Sequence, residues 1–279
     1  MKHHPRFVRV NNAIRFVAHR RSGTPLPARI LWQHGGVVDV GVQKRNDKGR
    51  PRSGTSPRPD LSAAEQILDA AAHLFAEGGF AATSTRAIAD EVGIRQASLY
   101  YHFPSKEHML EALLMRTVEP SARAGRYLAA SALPAEVRLC ALISFDTRQL
   151  LSAPHNVGSL YLLPEIRNDL FAPYRDERST LRALYADLVA ESVVGQVRAQ
   201  LTPGSETLEY LVDVVFGMVE SVITIRADRH HHDSELLVRT VAEGCLRVLG
   251  HTGDDVGRIA ASADALGATV QSELEADRP

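Results

Sequence analysis

The side chains whose types and spacing could do chemistry lie mainly in one short segment that follows Gly93. A predicted helix from about Arg95 to Phe103 carries hydrogen-bonding groups at most of its surface positions. They are Arg95, Gln96, Ser98, Tyr100, Tyr101 and His102. The major groove of DNA admits one α-helix, and its base edges present hydrogen-bond donors and acceptors. The segment therefore favours recognition of nucleic acid.

Two further predicted helices would position this segment within a helix-turn-helix domain. Asp60 or Ser62 can cap a first helix that ends at the Gly-Gly pair 78–79, and Thr83 can cap a short second helix that ends at Gly93. Glycine suits the turn after the second helix, because a left-handed backbone is favoured there. One small apolar core would join the helices. Its residues are Leu74, Phe75, Phe80, Ile88, Val92, Leu99 and Phe103.

The rest of the chain shows helical periodicity almost throughout. Ser105 begins a fourth helix with a capping-box-like Ser-Lys-Glu-His start, and Pro120 should kink or end that helix. Further predicted helices cover residues 134–151, 157–169, 174–201, 206–227 and 234–249, with one weak helix at about 254–275. The predicted fold is all-α, with a helix-turn-helix domain at 60–110, a C-terminal helical domain at 111–250 and a peripheral tail at 251–279.

A resemblance to a known family rests on the run from Gly79 to Leu114. It reads GFAATSTRAIADEVGIRQASLYYHFPSKEHMLEALL. An aromatic residue follows glycine, Thr-Ser-Thr precedes the second helix, and Leu-Tyr-x-His-Phe leads to Ser-Lys-Glu. In this spacing the run resembles the TetR (tetracycline-repressor) family of bacterial transcription regulators. The alternative is an unrelated small helical bundle whose aromatic and histidine side chains are structural.

The resemblance implies DNA-binding roles for the residues at matching positions. The implied phosphate contacts are Thr83, Thr85, Tyr101, His102 and Lys106. The implied base-facing residues are Arg95, Gln96, Ala97 and Tyr100, and Ser98 lies on the same helix. The family commonly has a small hydroxyl residue where Arg95 stands, and arginine cannot cap the third helix in that way. Each side chain could instead face solvent without touching DNA.

The resemblance also implies that the remaining helices bind a small-molecule effector and form a homodimer. The predicted dimer surface lies on helices 206–227 and 234–249. Its residues are Leu208, Leu211, Val212, Val215, Gly217, Val219, Ser221, Val222, Leu237, Val241, Gly244, Cys245 and Val248. The alternative is that these residues pack only within one chain.

An effector pocket is expected among the helices that span residues 134–225, because ligand pockets combine apolar walls with a few polar anchors. The candidate lining residues are Phe145, Arg148, Tyr161, Leu162, Glu165, Tyr185, Phe216 and Glu220. Aromatic residues and leucines at helical spacing are more often core residues, so that alternative stays open for each. No Gly-rich phosphate loop, metal-ligand motif or nucleophile elbow is recognisable, so we expect neither an enzyme nor a cofactor.

Cysteine and histidine patterns exclude several other classes of protein. Two cysteines, Cys140 and Cys245, cannot build a disulfide framework or a Cys-rich zinc module, and they fit apolar helix faces as small core residues. The consecutive histidines 230–232 have diverging side chains, which favours a solvated loop over a metal site.

The most apolar stretch, 211–225, is too short and too charged to span a bilayer, and no secretory signal is recognisable, so a cytoplasmic location is expected.

Charge is distributed unevenly along the 279 residues, although the formal net charge is −1. Residues 1–59 contain 13 Lys and Arg but only two Asp, and residues 43–59 have the Pro/Gly/Ser-rich composition of a linker. We predict a basic, mostly disordered extension. It could add phosphate or minor-groove contacts. Alternatively, translation could begin further in, at Val37, Val38 or Val42.

These observations together predict a ligand-responsive transcriptional repressor. It would bind double-stranded DNA at a palindromic operator as a homodimer, and a small-molecule effector would release it. Three alternatives stay open. They are a transcriptional activator, a helical enzyme that acts on a small molecule, and a protein-interaction module that has lost DNA binding.

Overall fold

The computed structural model describes residues 61–201, 206–229 and 233–276, and the backbone of two short strands near the start of the chain. The strands β1 (Arg9–Val10) and β2 (Ala13–Ile14) pair in antiparallel orientation, with Arg9 opposite Ile14. The predictions for the remainder of residues 1–60 and for histidines 230–232 lie outside the described residues.

The described body is built from α-helices, so the predicted all-α fold is confirmed. A segment of three 3₁₀ turns connects the fifth and sixth helices. The helices are α1 (Ala63–Gly78), α2 (Thr85–Val92), α3 (Gln96–His102), α4 (Lys106–Ala129), α5 (Ala135–Ser152), α6 (Ala172–Ser192), α7 (Gly195–Ala199), α8 (Glu206–Asp228), α9 (Ser234–Val248) and α10 (Asp254–Ala276). Among the described helices, none is long and apolar enough to cross a membrane.

Helix α1 begins and ends where its sequence predicts. The Ser62 hydroxyl accepts a hydrogen bond from the Glu65 backbone N–H at 3.3 Å, and the Glu65 carboxylate accepts one from the Ser62 backbone N–H at 2.8 Å. This capping box satisfies N–H groups that no helical carbonyl can reach. Gly79 (φ +82°) ends α1 and Gly93 (φ +79°) ends α2. Only glycine adopts these backbone angles without steric cost.

A small core joins α1, α2 and α3 to the start of α4. Ile67, Ile88 and Leu99 are completely buried. The rings of Phe75 and Phe80 meet edge to face with their centres 5.0 Å apart, a favourable geometry for aromatic pairs. Leu99 is the buried residue of α3, so this helix is anchored along one side and its other faces meet solvent.

Two helix starts differ from the prediction. The cap of α2 is Ser84, whose hydroxyl accepts a hydrogen bond from the Ala87 backbone N–H at 3.1 Å, so the prediction that Thr83 is the cap is wrong. At α4, Ser105 occupies the cap position, but its hydroxyl bonds the His108 imidazole at 3.0 Å and no backbone N–H. The predicted capping box is therefore not formed at α4.

Helix α4 runs through Pro120, so of the two predicted effects of this proline, a kink or an end, the end does not occur. A proline inside a helix costs about 3 kcal/mol, and burial along the same helix offsets that cost. Val118, Ala122 and Leu128 are buried on either side of it. At Gly125 an added Cβ would lie 2.9 Å from a methyl group of Leu184, which shows how closely α4 and α6 approach.

Helix α5 is the centre of the C-terminal domain and packs against α4, α6, α8, α9 and α10. Leu139, Leu142 and Ile143 are fully buried at these contacts. Helix α10 also packs on α9, and it buries Val256 and Val270. For the described residues 251–276 the prediction of a peripheral tail is therefore wrong, because α10 completes the core around α5.

Two predicted helices are interrupted. Residues 157–169 lie mostly in the 3₁₀ turns Val157–Leu162, Pro164–Arg167 and Asp169–Phe171. The predicted helix 174–201 breaks at the extended residue Val193, after which α7 starts at Gly195 (φ +57°). Apolar periodicity continues through both breaks, which explains why it predicts longer helices than exist.

Candidate nucleic-acid interface and helical cavity

Helix α3 presents a continuous hydrogen-bonding surface to solvent. The exposed residues on it and at its cap are Arg95, Gln96, Ala97, Ser98, Tyr100, Tyr101 and His102. Tyr101 is 87% exposed, and its ring meets that of His102 edge to face at 5.3 Å. Arg95 occupies the cap position and makes no side-chain cap hydrogen bond, as its type predicts. Its guanidinium is therefore available to a molecule that binds to this face of α3.

Thr85 connects the first turn of α2 to the exposed face of α3. Its hydroxyl accepts a hydrogen bond from the Gln96 amide at 2.8 Å and lies 3.1 Å from the Tyr100 hydroxyl. Gln96 and Tyr100 are four residues apart and so project from the same face of α3. The Gln96 amide keeps its carbonyl oxygen and a second N–H for another partner. The three side chains are thus arranged beside the positive end of the α2 dipole, which favours an anion.

Lys106 and Thr83 hold the connection between α1 and α2. The Lys106 ammonium donates to the carbonyls of Phe80 at 3.0 Å, Ala81 at 3.4 Å and Thr83 at 3.2 Å, and it lies 4.4 Å from the centre of the Phe80 ring. Thr83 is buried, and its hydroxyl donates to the Gly79 carbonyl at 2.9 Å. Their polar groups are engaged within the protein in the absence of DNA, and their phosphate contacts stay a prediction. Both residues position the turn.

One further basic side chain, that of Arg86, lies on this surface and is not among the predicted DNA-binding residues. Arg86 is exposed in the first turn of α2, and its guanidinium lies 3.9 Å from the Asp90 carboxylate. An arginine beside a helix N-terminus can donate to a phosphate. The signal for it is its position directly after the Thr-Ser-Thr run that begins the helix.

Buried and half-buried polar side chains lie around a small cavity between α4, α5, α6 and α8. The Asp146 carboxylate accepts hydrogen bonds from the hydroxyls of Ser121 at 2.8 Å and Tyr185 at 3.0 Å. Removal from water raises the pKa of Asp146 to about 6. Arg178 and Glu220 form an ion pair of 2.5 Å beside the same cavity, whose volume is only about 20 Å³.

Aromatic side chains form the apolar walls of this cavity. The Tyr161 hydroxyl donates to the Thr117 hydroxyl at 2.6 Å, and the Tyr161 and Tyr174 rings lie 6.0 Å apart. Burial raises the pKa of Tyr161 well above its ordinary range and that of Tyr174 to about 12, so both hydroxyls stay protonated at neutral pH. The Arg178 guanidinium lies over the Phe216 ring at 5.0 Å. The cavity thus combines apolar walls with convergent charged groups.

Three of the eight predicted pocket residues line this cavity, and a fourth packs beside it. Tyr161, Phe216 and Glu220 line it, and Tyr185 packs on Phe216 with ring centres 5.3 Å apart while it bonds the buried Asp146. Asp146 itself is not among the predicted pocket residues, although a carboxylate in the middle of the apolar helix α5 is the kind of signal that marks a buried polar site.

The other predicted pocket residues lie elsewhere. Phe145 and Arg148 line a separate groove between α5 and α10, where Arg148 pairs with Glu235 at 2.9 Å. Leu162 is 93% exposed, and Glu165 lies in a 3₁₀ turn away from the cavity lining. These four residues therefore do not line the cavity around Asp146. Phe145 and Arg148 line the groove beside α10, while Leu162 and Glu165 belong to the 3₁₀ turns. Their predicted contact with an effector stays a prediction.

The predicted dimer stripe of α8 packs inside the chain. Val212, Val215, Val219 and Val222 are almost completely buried, so for them the alternative of packing within one chain is correct. On α9, Cys245 is likewise buried, as is Cys140 on α5, and burial raises the pKa of each thiol to about 12. The two cysteines are therefore small core residues, as their positions predict.

A second stripe of α8 faces solvent, and it includes Gly217 and Ser221 of the predicted dimer surface. Its residues are Tyr210, Val214, Gly217 and Ser221. They recur at intervals of four, three and four residues, which places them on one side of the helix. Leu236, at the start of α9, is a further large apolar residue that is more than half exposed. A row of exposed apolar and small side chains is typical of a surface that contacts another protein chain.

Comparison with known proteins agrees with this geometry. The family model described as bacterial regulatory proteins, tetR family, matches residues 67–113, which span α1 to the first turns of α4. A crystal structure of Mycobacterium smegmatis AmtR is 43% identical and superposes with a TM-score of 0.67, over 76% of this chain and 97% of that one. The chain belongs to the TetR family. As a TetR-family protein it is a DNA-binding transcriptional regulator, and the family forms dimers.

Other TetR-family proteins are similar at lower identity. The transcriptional repressor KstR2 of Rhodococcus jostii RHA1 is 28% identical over 187 residues, which cover 66% of this chain and 87% of that protein. A TetR-family regulatory protein from Rhodococcus RHA1 shares the fold, with a TM-score of 0.57 at 20% identity over 69% of this chain and all of that one. The resemblance thus extends beyond the helix-turn-helix domain into the C-terminal helices.

Proposed function

We propose that this TetR-family regulator is a repressor that binds a palindromic operator as a homodimer and leaves it when a small molecule binds. The observation that carries the proposal is the exposed face of α3, where Arg95, Gln96 and Tyr100 present donors and acceptors beside the N-terminus of α2. Arginine can pair with guanine and glutamine with adenine in the major groove. The repressor KstR2, similar over most of its length, supports repression as the direction of control.

The proposed dimer contact is the exposed stripe of α8 together with the start of α9. Gly217 has open space around its Cα, so the backbone of a partner helix could approach closely there. Tyr210, Val214 and Leu236 would supply apolar area on either side. A two-fold contact of this kind would place two copies of α3 to read two half-sites about one helical turn of DNA apart.

The proposed effector site is the cavity around Asp146, Arg178 and Glu220. The cavity is small, so an effector would have to separate the Arg178–Glu220 pair or move the aromatic walls. A ligand that prefers the widened cavity would shift the dimer toward a different spacing of its α3 helices. By thermodynamic linkage, DNA would then weaken ligand binding by the same factor.

A reporter assay tests the direction of control. The reporter is driven by the promoter upstream of this protein's own gene, in a host with and without the protein. Repression predicts lower reporter output with the wild-type protein and full output with a Gln96→Ala, Tyr101→Ala double variant. Higher output with the wild-type protein would instead establish an activator, and equal output in all three strains would contradict control of this promoter.

A further inference from the structure

One loop joins the C-terminal domain to the helix-turn-helix domain outside the covalent path through α4. Helix α5 ends at Ser152, and residues 153–156 turn into the 3₁₀ segment Val157–Leu162. Of the helices in the DNA-binding domain, α1 packs against both α4 and this 3₁₀ segment. A movement within the C-terminal domain can therefore reach α1 by this second route.

The loop is fixed on one side by α8. Near the end of α8, the Arg226 guanidinium donates to the Leu150 carbonyl at 3.1 Å and also to the carbonyls of Ala153 and Pro154. These carbonyls lie at the C-terminus of α5, where no helical N–H is available to them. Burial lowers the pKa of Arg226, so the carbonyls replace the water that the cation has lost.

A second pair of contacts ties the loop to the preceding turn of α8. The Asn156 side-chain amide donates to the Ile223 carbonyl at 2.8 Å. At Gly158 an added Cβ would lie 2.7 Å from the Ile223 side chain, so the 3₁₀ segment lies directly against α8. The loop must therefore follow any displacement of this end of α8.

On its other side the loop contacts the DNA-binding domain through His155. The His155 Nε2 atom lies 3.2 Å from the Asp69 carboxylate of α1, and both side chains are mostly buried. The His155 ring lies 5.4 Å from the ring of His73, whose nitrogens are 3.6 Å and 3.7 Å from the carboxylates of Glu77 and Glu91. Glu91 belongs to α2, so the contacts continue from α8 through the loop and α1 into the helix-turn-helix.

We infer that residues 153–158 are a mechanical coupler, in which Arg226 and Asn156 hold the loop to α8 and His155 passes displacement of α8 to α1 and α2. The inference rests on the proposed function in one respect, namely that α8 contributes both to the effector cavity and to the coupler. Phe216 and Glu220 of α8 line the cavity. Glu220 and Arg226 are six residues apart, about 9 Å along the helix axis. In this inference His155 is a positioning residue, which acts on DNA binding through α1 and α2.

Hydrogen exchange on the full chain tests the coupler without DNA or effector, so it does not depend on the proposed repression. Four proteins are compared, namely wild type, Arg226→Gln, His155→Ala and the double variant. Each single change should speed amide exchange in α1 by about tenfold, equivalent to about 1.4 kcal/mol of local opening free energy. The double variant should match His155→Ala, because both changes break the same connection.

Controls separate coupling from a general loss of stability. Arg182→Gln also removes ion pairs to α8, with Glu209 and Asp213, but touches no part of the loop, and it should leave exchange in α1 unchanged. His155→Gln keeps a donor toward Asp69 and should restore most of the protection. If Arg226→Gln folds poorly, Asn156→Ala takes its place. The coupler would be overturned if α1 exchanged at the wild-type rate in Arg226→Gln or Asn156→Ala. It would also be overturned if the effects of the two single changes simply added in the double variant.

Discussion

Gln96 is the residue of α3 whose substitution tests base recognition most specifically. Its amide is oriented by Thr85 and still has a free carbonyl oxygen and N–H. Gln96→Ala should weaken binding to a duplex selected by the wild-type protein by about 1–3 kcal/mol, and it should relax specificity at one base pair in each half-site. Fluorescence anisotropy with duplexes altered at single base pairs measures both effects.

The control for Gln96 is Arg258→Ala on α10, which removes an exposed guanidinium that pairs with Asp255. This variant should bind DNA like the wild type. An equal loss of affinity for every duplex would indicate that Gln96 contacts the phosphate backbone. An unchanged preference among the duplexes would contradict base recognition by the Gln96 side chain.

Asp146 gives a prediction for pH dependence. Its pKa is raised from 3.8 to about 6 by burial, so its protonated form stabilises the folded state. That contribution is complete below about pH 4 and is lost as the pH rises through about 6, which costs about 3 kcal/mol at pH 7. Asp146→Asn should therefore unfold at a higher temperature than wild type at pH 7, and the two should converge near pH 4.

Thermal unfolding at several pH values between 4 and 7 measures this difference. Asp255→Asn, on the exposed start of α10, is the matched control and should follow the wild-type curve. Parallel curves for wild type and Asp146→Asn would show that the carboxyl titrates in the folded protein as it does in water.

Residue types predict this surface better than they predict the role of each residue. The exposed positions of α3 follow from the helical period around Leu99, and the structure has them exposed. Lys106 and Thr83 have types that suit phosphate contacts equally well, but their partners are carbonyls of the turn between α1 and α2. Those partners are up to 26 residues away in the chain. Local pattern carries no information about such distant contacts.

At the scale of elements, the exposed stripe of α8 is the main part of the proposed dimer contact. Val214→Glu places a charge in the middle of that stripe and should shift the protein from dimer to monomer, because the charge would lose its water in the contact. Sedimentation velocity across a range of protein concentrations measures the shift. Leu133→Glu, at an exposed apolar residue between α4 and α5, is the control and should remain dimeric. A dimer that tolerates Val214→Glu would place the contact elsewhere.

Element boundaries are predicted well where caps are local and poorly where packing decides. Ser62 and Gly79 mark α1 through contacts within four residues, so the sequence predicts both ends. Helix α10 has few strong apolar residues, and its position against α5 and α9 depends on which faces those helices leave uncovered. Neither the burial of α10 nor the 3₁₀ turns at 157–171 follows from periodicity, since both depend on neighbours that lie far away in the sequence.

At the scale of the whole molecule, charge alone does not reveal the DNA-binding domain. Residues 60–110 contain three Lys and Arg against seven Asp and Glu, so this domain is acidic. DNA binding must then depend on a few placed groups, such as Arg86, Arg95 and the N-terminus of α2, because each phosphate contact contributes locally. The basic residues of 43–59 stay a predicted source of further phosphate contacts.

Electrophoretic mobility shift with DNA from upstream of the protein's own gene tests the central claim most directly. A dimeric regulator predicts a retarded complex at low salt that competes with unlabelled palindromic DNA and weakens steeply as salt rises. The protected site should contain two half-sites whose centres lie about one helical turn apart. No retardation at low salt with any neighbouring palindrome would contradict the account.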